Sequence, residues 1–268
     1  MRVHWEAETA TDDRGLAYGD GCFETLRLTP GSAPLWPWHR ARLLGGAARL
    51  GIPLAEAVLD EALTQALARC HGSAVLKLIL TRGSGGRGYA APQAVAPRLL
   101  ASLHPLPARP HSDYHEGIVT GLCQQRLATA PALAGLKHLN RLEQVLARQE
   151  VQRAGWAEGL MLDEHGRPVE FTSMNLFARF GDQLWTPPLA QAGVAGVARA
   201  VIIEQLAPAA GLFISQQLRP LSQLRQADEV FACNSVAGIL PVRTLALWRW
   251  PVGPVTLALQ ARLADLFA

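Results

Sequence analysis

The sequence predicts a mixed fold of strands and helices, α+β or α/β, built as two subdomains. Three observations predict it. At 268 residues the chain has room for one large domain or two smaller ones with a sizeable core. Strand-like and helix-like patterns occur together in both halves. Between the halves runs His104-Pro-Leu-Pro-Ala-Arg-Pro110, three prolines in seven residues, which removes backbone donors and restricts each preceding residue. The expected division is a first α/β subdomain over 1–103, a connector over 104–115 and a second α/β subdomain over 116–268.

In the first half, Cys22 to Leu28 alternates like a half-buried strand. His39 to Leu50 and Leu54 to Ala68 carry apolar residues at helical spacing, while Ala74 to Thr81 and Arg98 to Leu103 read as strands. In the second half, Gly117 to Cys123 predicts a strand. Leu139 to Ala154 predicts an amphipathic helix with Leu139, Leu142, Val145 and Leu146 on one stripe. Leu160 to Pro187 predicts three strands with turns at Glu164 to Arg167 and at Gly181-Asp182. A helix opens near Gly196, and Glu229 to Val242 reads as strand, loop, strand.

Composition narrows the function classes. The chain is 49% hydrophobic and 18% charged, too apolar for a disordered segment. A net charge of +3 with scattered basic residues gives no nucleic-acid footprint. Cys22, Cys70, Cys123 and Cys233 lie far apart, without a CxxC pair, as expected in a reducing cytoplasm. The N-terminus lacks the apolar core of a signal peptide, and Val194 to Ile214 is too polar to span a bilayer, so a soluble protein with no membrane partner is expected.

Two patterns mislead. Gly83-Ser-Gly85-Gly-Arg-Gly88 fits G-x-G-x-x-G after a strand, but Tyr-Ala-Ala-Pro follows where a dinucleotide site needs a helix. A flexible glycine loop or a substrate-contacting loop remains. His111 and His115 are spaced for a metal on a helix, yet no third ligand accompanies them, and no metal is expected.

Five features carry chemistry. Lys137 and Lys77 are the only lysines beside 23 arginines, and lysine, unlike arginine, can form a Schiff base or shuttle a proton. Lys137 stands at the expected mouth of the amphipathic helix. Glu170 is a carboxylate within the strand Pro168-Val-Glu-Phe-Thr172, facing solvent or paired with a cation. Gly193-Val-Ala-Gly196-Val-Ala198 is a glycine-rich helix entry whose free amides suit an anion. Cys233-Asn-Ser235-Val236 adds a hydroxyl and amides, and Arg42 in His39-Arg-Ala-Arg42-Leu43 can clamp a phosphate.

A lysine, a strand carboxylate, an anion-binding helix start and an arginine together resemble the fold-type IV pyridoxal-phosphate enzymes. That group contains branched-chain and D-amino acid aminotransferases and aminodeoxychorismate lyases. The resemblance runs from Asp13-Arg-Gly-Leu-Ala-Tyr-Gly-Asp-Gly-Cys-Phe-Glu24 to Ala227-Asp-Glu-Val-Phe-Ala-Cys-Asn-Ser235. Arg82 to Tyr89 and Lys137 to Glu143 are similar to the lyases rather than the transaminases. It implies a fold-type IV architecture with pyridoxal 5'-phosphate as cofactor. Lys137 would hold that group as a Schiff base, Glu170 would face its pyridine nitrogen, and Arg42 would bind its phosphate. The amides of Val197 and Ala198, with Ser235 and the Val236 amide, would complete the phosphate site. Transaminases often carry threonine where Ala198 stands, so one hydroxyl contact is absent.

The same resemblance implies conversion of 4-amino-4-deoxychorismate to 4-aminobenzoate and pyruvate, a step toward folate, in a homodimer. The substrate's two carboxylates call for further cations, for which Arg87 in the glycine loop and Lys77 on the preceding strand are the candidates. A D-amino acid or branched-chain aminotransferase would share every cofactor residue. A non-catalytic pyridoxal-phosphate reservoir is the alternative of a different class, though storage needs no tuned electron sink.

Overall fold

Four strands with one apolar face each make the first sheet: β1 (Val3–Trp5), β2 (Gly21–Leu28), β3 (Ala74–Thr81) and β4 (Arg98–Pro105). In the computed structural model, which describes residues 1–5 and 8–268, they are ordered β1-β4-β3-β2. Only β1 runs parallel to its neighbour. The two-residue period of a strand buries Leu26 and Leu28 with Leu76, Leu78 and Leu80. Helices α2 (Trp36–Leu50) and α3 (Glu56–Arg69) cover that face. The short α1 (Arg14–Tyr18) precedes them, capped by Asp13, whose carboxylate accepts the Gly15 amide at 2.8 Å. On the other face lie Phe23, Thr25, Lys77, Ile79 and Ser102, only half-buried.

The second sheet collects β5 (Ile118–Leu127), β6 (Glu158–Asp163), β7 (Pro168–Phe171), β8 (Asn175–Phe180), β9 (Gln183–Trp185), β10 (Phe213–Ser215), β11 (Glu229–Asn234), β12 (Gly238–Leu245) and β13 (Trp248–Arg249). Its order is β10-β9-β8-β11-β12-β5-β6-β7, with β13 on β12 and a further β7–β8 pairing through Glu170 and Asn175. That last pairing closes β8, β11, β12, β5, β6 and β7 into a ring with no free edge. Its core holds Leu160, Phe171, Leu176, Trp185 and Leu240. Helices α4 (His111–His115), α5 (Leu142–Ala154) and α8 (Pro254–Asp265) belong to this part. So does α6 (Val197–Val201), which continues through a π-helical turn into α7 (Ala207–Ala209).

The chain divides into two compact units, 1–107 with 136–140, and 108–135 with 141–268. The stretch 136–140 therefore joins the first unit, although the sequence division set it in the second. Its backbone is bound to β2: the Phe23 amide donates to the Lys137 carbonyl at 2.9 Å and the Leu139 amide to the Gly21 carbonyl at 3.0 Å. The connector is shorter than expected too. β4 takes in His104 and Pro105, proline being tolerated at a strand end, and α4 forms over 111–115. The segment 160–187 holds four strands where three were expected, β9 following the Gly181-Asp182 turn. Among the described residues no helix is long and apolar enough to cross a membrane.

Candidate active site

Lys137 is not at a helix mouth. Helix α5 begins at Leu142, and Lys137 lies in an extended segment whose neighbour His138 bridges to Cys22 on the edge of β2. The edge strand supplies unpaired amides and carbonyls, and these outcompete the helical period of 139–154 in its first residues. Lys137 Nζ stands 4.2 Å from the centroid of the Phe23 ring, a cation over an aromatic face. The expected stripe is also displaced. Leu142, Val145 and Leu146 are exposed, and the helix buries Ala147 and Val151 instead.

Glu24 was not singled out by sequence motif, yet it organises Arg42. Its position on β2 is core-facing, in register with Leu26 and Leu28, and it is 1% exposed. One carboxylate takes Arg42 Nε at 2.7 Å, Arg42 Nη2 at 2.5 Å and His39 Nδ1 at 2.6 Å. Burial opposes its charge, but Arg42 and His39 outweigh burial and hold the Glu24 carboxyl at about 2. Burial pushes His39 below its ordinary value against the pull of Glu24, so the ring is neutral at pH 7 and donates Nδ1–H. The signal in the sequence was a carboxylate at a buried strand position, which needs a cationic partner.

In the second unit, Glu170 sits on β7 and is buried at 4% exposure rather than facing solvent. Its Oε2 accepts the Val194 amide at 2.8 Å and lies 3.5 Å from Asn175 Nδ2, which also donates to the Val194 carbonyl at 2.9 Å. Two glycines keep this place open. A Cβ on Gly196 would stand 1.9 Å from Asn175 Oδ1, and one on Gly193 (φ +84°) would meet Leu189 and Val169 at 2.8 Å and Glu170 Oε2 at 3.3 Å. Gly196 caps α6, so the Val197 and Ala198 amides fall in the first turn, where no helical carbonyl reaches them. Gly135 is held to the same segment, donating to the Gly193 carbonyl and accepting the Ala195 amide.

Arg199 follows, 8% exposed, donating to Thr186 Oγ1, the Pro187 carbonyl and Gln216 Oε1. Burial lowers its pKa, and the charge of Glu170 opposes that. Ser235 is buried at 8% exposure. The Val236 amide already donates to Asn234 Oδ1 at 3.0 Å, as does that of Ala237 at 2.7 Å, so it serves the turn after β11. Of the substrate candidates, Lys77 pairs in register with Thr25 and Ser102 on the Phe23 face of the first sheet, and Arg87 is exposed in the glycine loop. His111 and His115 stack on each other at 6.1 Å, and no metal-type cluster occurs among the described residues.

The structure thus groups Lys137, Phe23, Glu24, His39 and Arg42 in the first unit, and Glu170, Asn175, Gly193, Gly196 and the α6 amides in the second. The first unit carries an amine, and the second a buried carboxylate, a glycine cradle and helix-start amides, each a residue type that a pyridoxal phosphate requires. The residues fit that group.

Comparison with known proteins agrees. The family model for amino-transferase class IV matches residues 21–245. The chain is 35% identical over 257 residues to the aminodeoxychorismate lyase of Vibrio harveyi, covering 94% of each. It is 31% identical to a putative branched-chain-amino-acid aminotransferase of Methanocaldococcus jannaschii, covering 97% of this chain and 92% of the relative. Among solved structures, the 4-amino-4-deoxychorismate lyase of Pseudomonas aeruginosa superposes with a TM-score of 0.93 at 49% identity, over 97% of this chain and 95% of the other.

Proposed function

The chain belongs to the amino-transferase class IV family, a family of pyridoxal-phosphate enzymes, and on that premise we propose that it converts 4-amino-4-deoxychorismate to 4-aminobenzoate and pyruvate, in folate synthesis. The observation that carries the reading is Glu170: a carboxylate 4% exposed, one oxygen fixed by the Val194 amide, beside the glycine cradle that opens α6. The likeness to aminodeoxychorismate lyases over nearly the whole chain supports the choice of reaction within the family.

In this reading Lys137 Nζ holds the cofactor covalently, Arg42 with the Val197 and Ala198 amides and Ser235 holds its phosphate, and Glu170 keeps a proton on its pyridine nitrogen. When bound, the cofactor supplies an electron sink next to the substrate's amine-bearing carbon. With its Nζ free, Lys137 would take the proton from C4 of the substrate. The C3–O bond then breaks, enolpyruvate departs and becomes pyruvate on protonation, and the ring left behind is aromatic. Glu24 holds the Arg42 guanidinium in one orientation through two of its nitrogens. Arg87 and Lys77 serve the substrate carboxylates. The Val236 amide, engaged by Asn234, takes the smallest part in the phosphate site.

A cytoplasmic homodimer completes the proposal, supported by widely spaced cysteines and by the exposed Leu142, Val145 and Leu146 on α5. The test is formation of 4-aminobenzoate and pyruvate in equal amounts from 4-amino-4-deoxychorismate. Incubation with an amino acid alone separates the alternatives. A transaminase converts bound pyridoxal to its pyridoxamine form, which would overturn the lyase reading, and a reservoir does neither reaction.

A further inference from the structure

The glycine loop after β3 is held by a group to which the reaction gives no task. Its composition suggests flexibility, but Gly83, Gly85, Gly86 and Gly88 adopt φ of +86°, +102°, +83° and +60°, a run of left-handed turns. Their consequence is a set of carbonyls gathered on one guanidinium. Arg14, 4% exposed, donates Nη1 to the carbonyls of Gly85 (3.4 Å), Gly88 (3.1 Å) and Ala90 (3.2 Å), and Nη2 to that of Tyr89 (3.1 Å). Its Nε is tied to Asp20 at 2.9 Å, and Asp20 also takes Arg82 Nε at 2.7 Å. Beneath, the Tyr18 ring lies 4.9 Å from the guanidinium carbon and meets the Tyr89 ring edge-on at 5.6 Å. No room is left inside: a Cβ on Gly86 would stand 2.3 Å from the Ala90 carbonyl and 3.1 Å from Arg14 Nη1.

Asp20 supplies one carboxylate shared between two arginines, so much of the Arg14 charge is met by neutral carbonyls of this single loop. Arg87 is carried at the loop's exposed side, its own carbonyl accepting the Ala90 amide at 3.2 Å. We propose that Arg14 is a positioning residue for the substrate: by fixing loop 83–90 it presents Arg87 in one place before substrate arrives. An arginine on a free loop would have to order several residues on binding, and a loop ordered in advance avoids that cost. Lysine cannot replace Arg14, because one ammonium lacks the planar fork that reaches four carbonyls. The inference rests on the reading that Arg87 binds a substrate carboxylate.

The experiment compares Arg14→Lys, Gly86→Ala and Arg87→Ala in the cofactor-loaded enzyme. Three quantities are read: the rate of tryptic cleavage after Arg87, KM against kcat for 4-amino-4-deoxychorismate, and cofactor affinity by absorbance titration. Arg14→Lys and Gly86→Ala are expected to speed cleavage after Arg87 and raise KM, each by about tenfold, with kcat within about twofold and cofactor affinity unchanged. Gly86→Ala loosens the loop chiefly by crowding the Ala90 carbonyl while keeping the Arg14 guanidinium in the chain, and carries the test should Arg14→Lys fail to fold. Unchanged cleavage overturns the clamp. Faster cleavage with unchanged KM, while Arg87→Ala raises KM, overturns the positioning role alone. An unchanged KM in Arg87→Ala overturns the reading of Arg87 itself, whatever the cleavage shows.

Discussion

Replacing Glu24 by glutamine tests the buried ion pair that holds Arg42. The Glu24 carboxyl falls from an ordinary 4.5 to about 2 because the Arg42 and His39 interactions exceed the cost of burial. At about 1.4 kcal/mol per pH unit, that depression is worth about 3 kcal/mol of folding stability. A depressed carboxyl stabilises above its unfolded value and loses that contribution as pH falls, so the loss runs between about 4.5 and about 2. His39 adds to it. Its pKa is lowered by burial, so the unfolded chain takes up the proton first and stability declines below pH 6.5. Glu24→Gln is expected to lower unfolding stability at pH 7 by about 3 kcal/mol, since Arg42 keeps its charge but loses the Glu24 carboxylate. Arg42 is 15% exposed and gains some hydration in return. The assay is urea unfolding of both proteins at pH 7, 5 and 3. The gap between them should narrow as the pH falls, because the wild type is losing what the variant never had. A gap that stays constant from pH 7 to 3 would refute the argument, and so would a variant as stable as the wild type at pH 7.

Lys137→Ala should abolish turnover with the fold retained, since its side chain rests on Phe23 and not in a core. Borohydride reduction of the wild type should fix the cofactor on Lys137, and an adduct mapped to Lys77 would overturn that assignment. Glu170→Gln should still bind cofactor but turn over about 10²–10³-fold more slowly, because an amide does not hold the pyridine proton; wild-type kcat in the variant would remove Glu170 from the chemistry. Gly121→Ala should cost about 1–3 kcal/mol in urea unfolding, because the new Cβ would stand 2.0 Å from the Trp156 ring. An unshifted midpoint would mean that Trp156 swings aside freely.

Local pattern determined much of this protein. The two-residue period of 74–81 matches β3 residue for residue, and Gly196 ahead of an apolar run marked the start of α6. Glu170, Lys137 and Arg42 were legible as chemistry because their residue types are costly or unusual where they stand: a carboxylate within a strand, one of two lysines, an arginine in a short motif. What surrounds them was not. Glu24 and Arg42 are 18 residues apart and meet only because α2 packs across β2. Arg14 reaches Gly85 from 71 residues away, and the glycines whose composition suggests flexibility turn their carbonyls onto that one cation. Leu139 and Asn140 fall within the expected helix but lie ahead of α5, since the open edge of β2 offers the Leu139 amide a partner that a helix start does not. Periodicity reports what each residue prefers among its near neighbours. Which buried charge or unpaired backbone group it finally satisfies depends on segments distant in sequence, and the need to pair such groups decides between local preferences of similar strength.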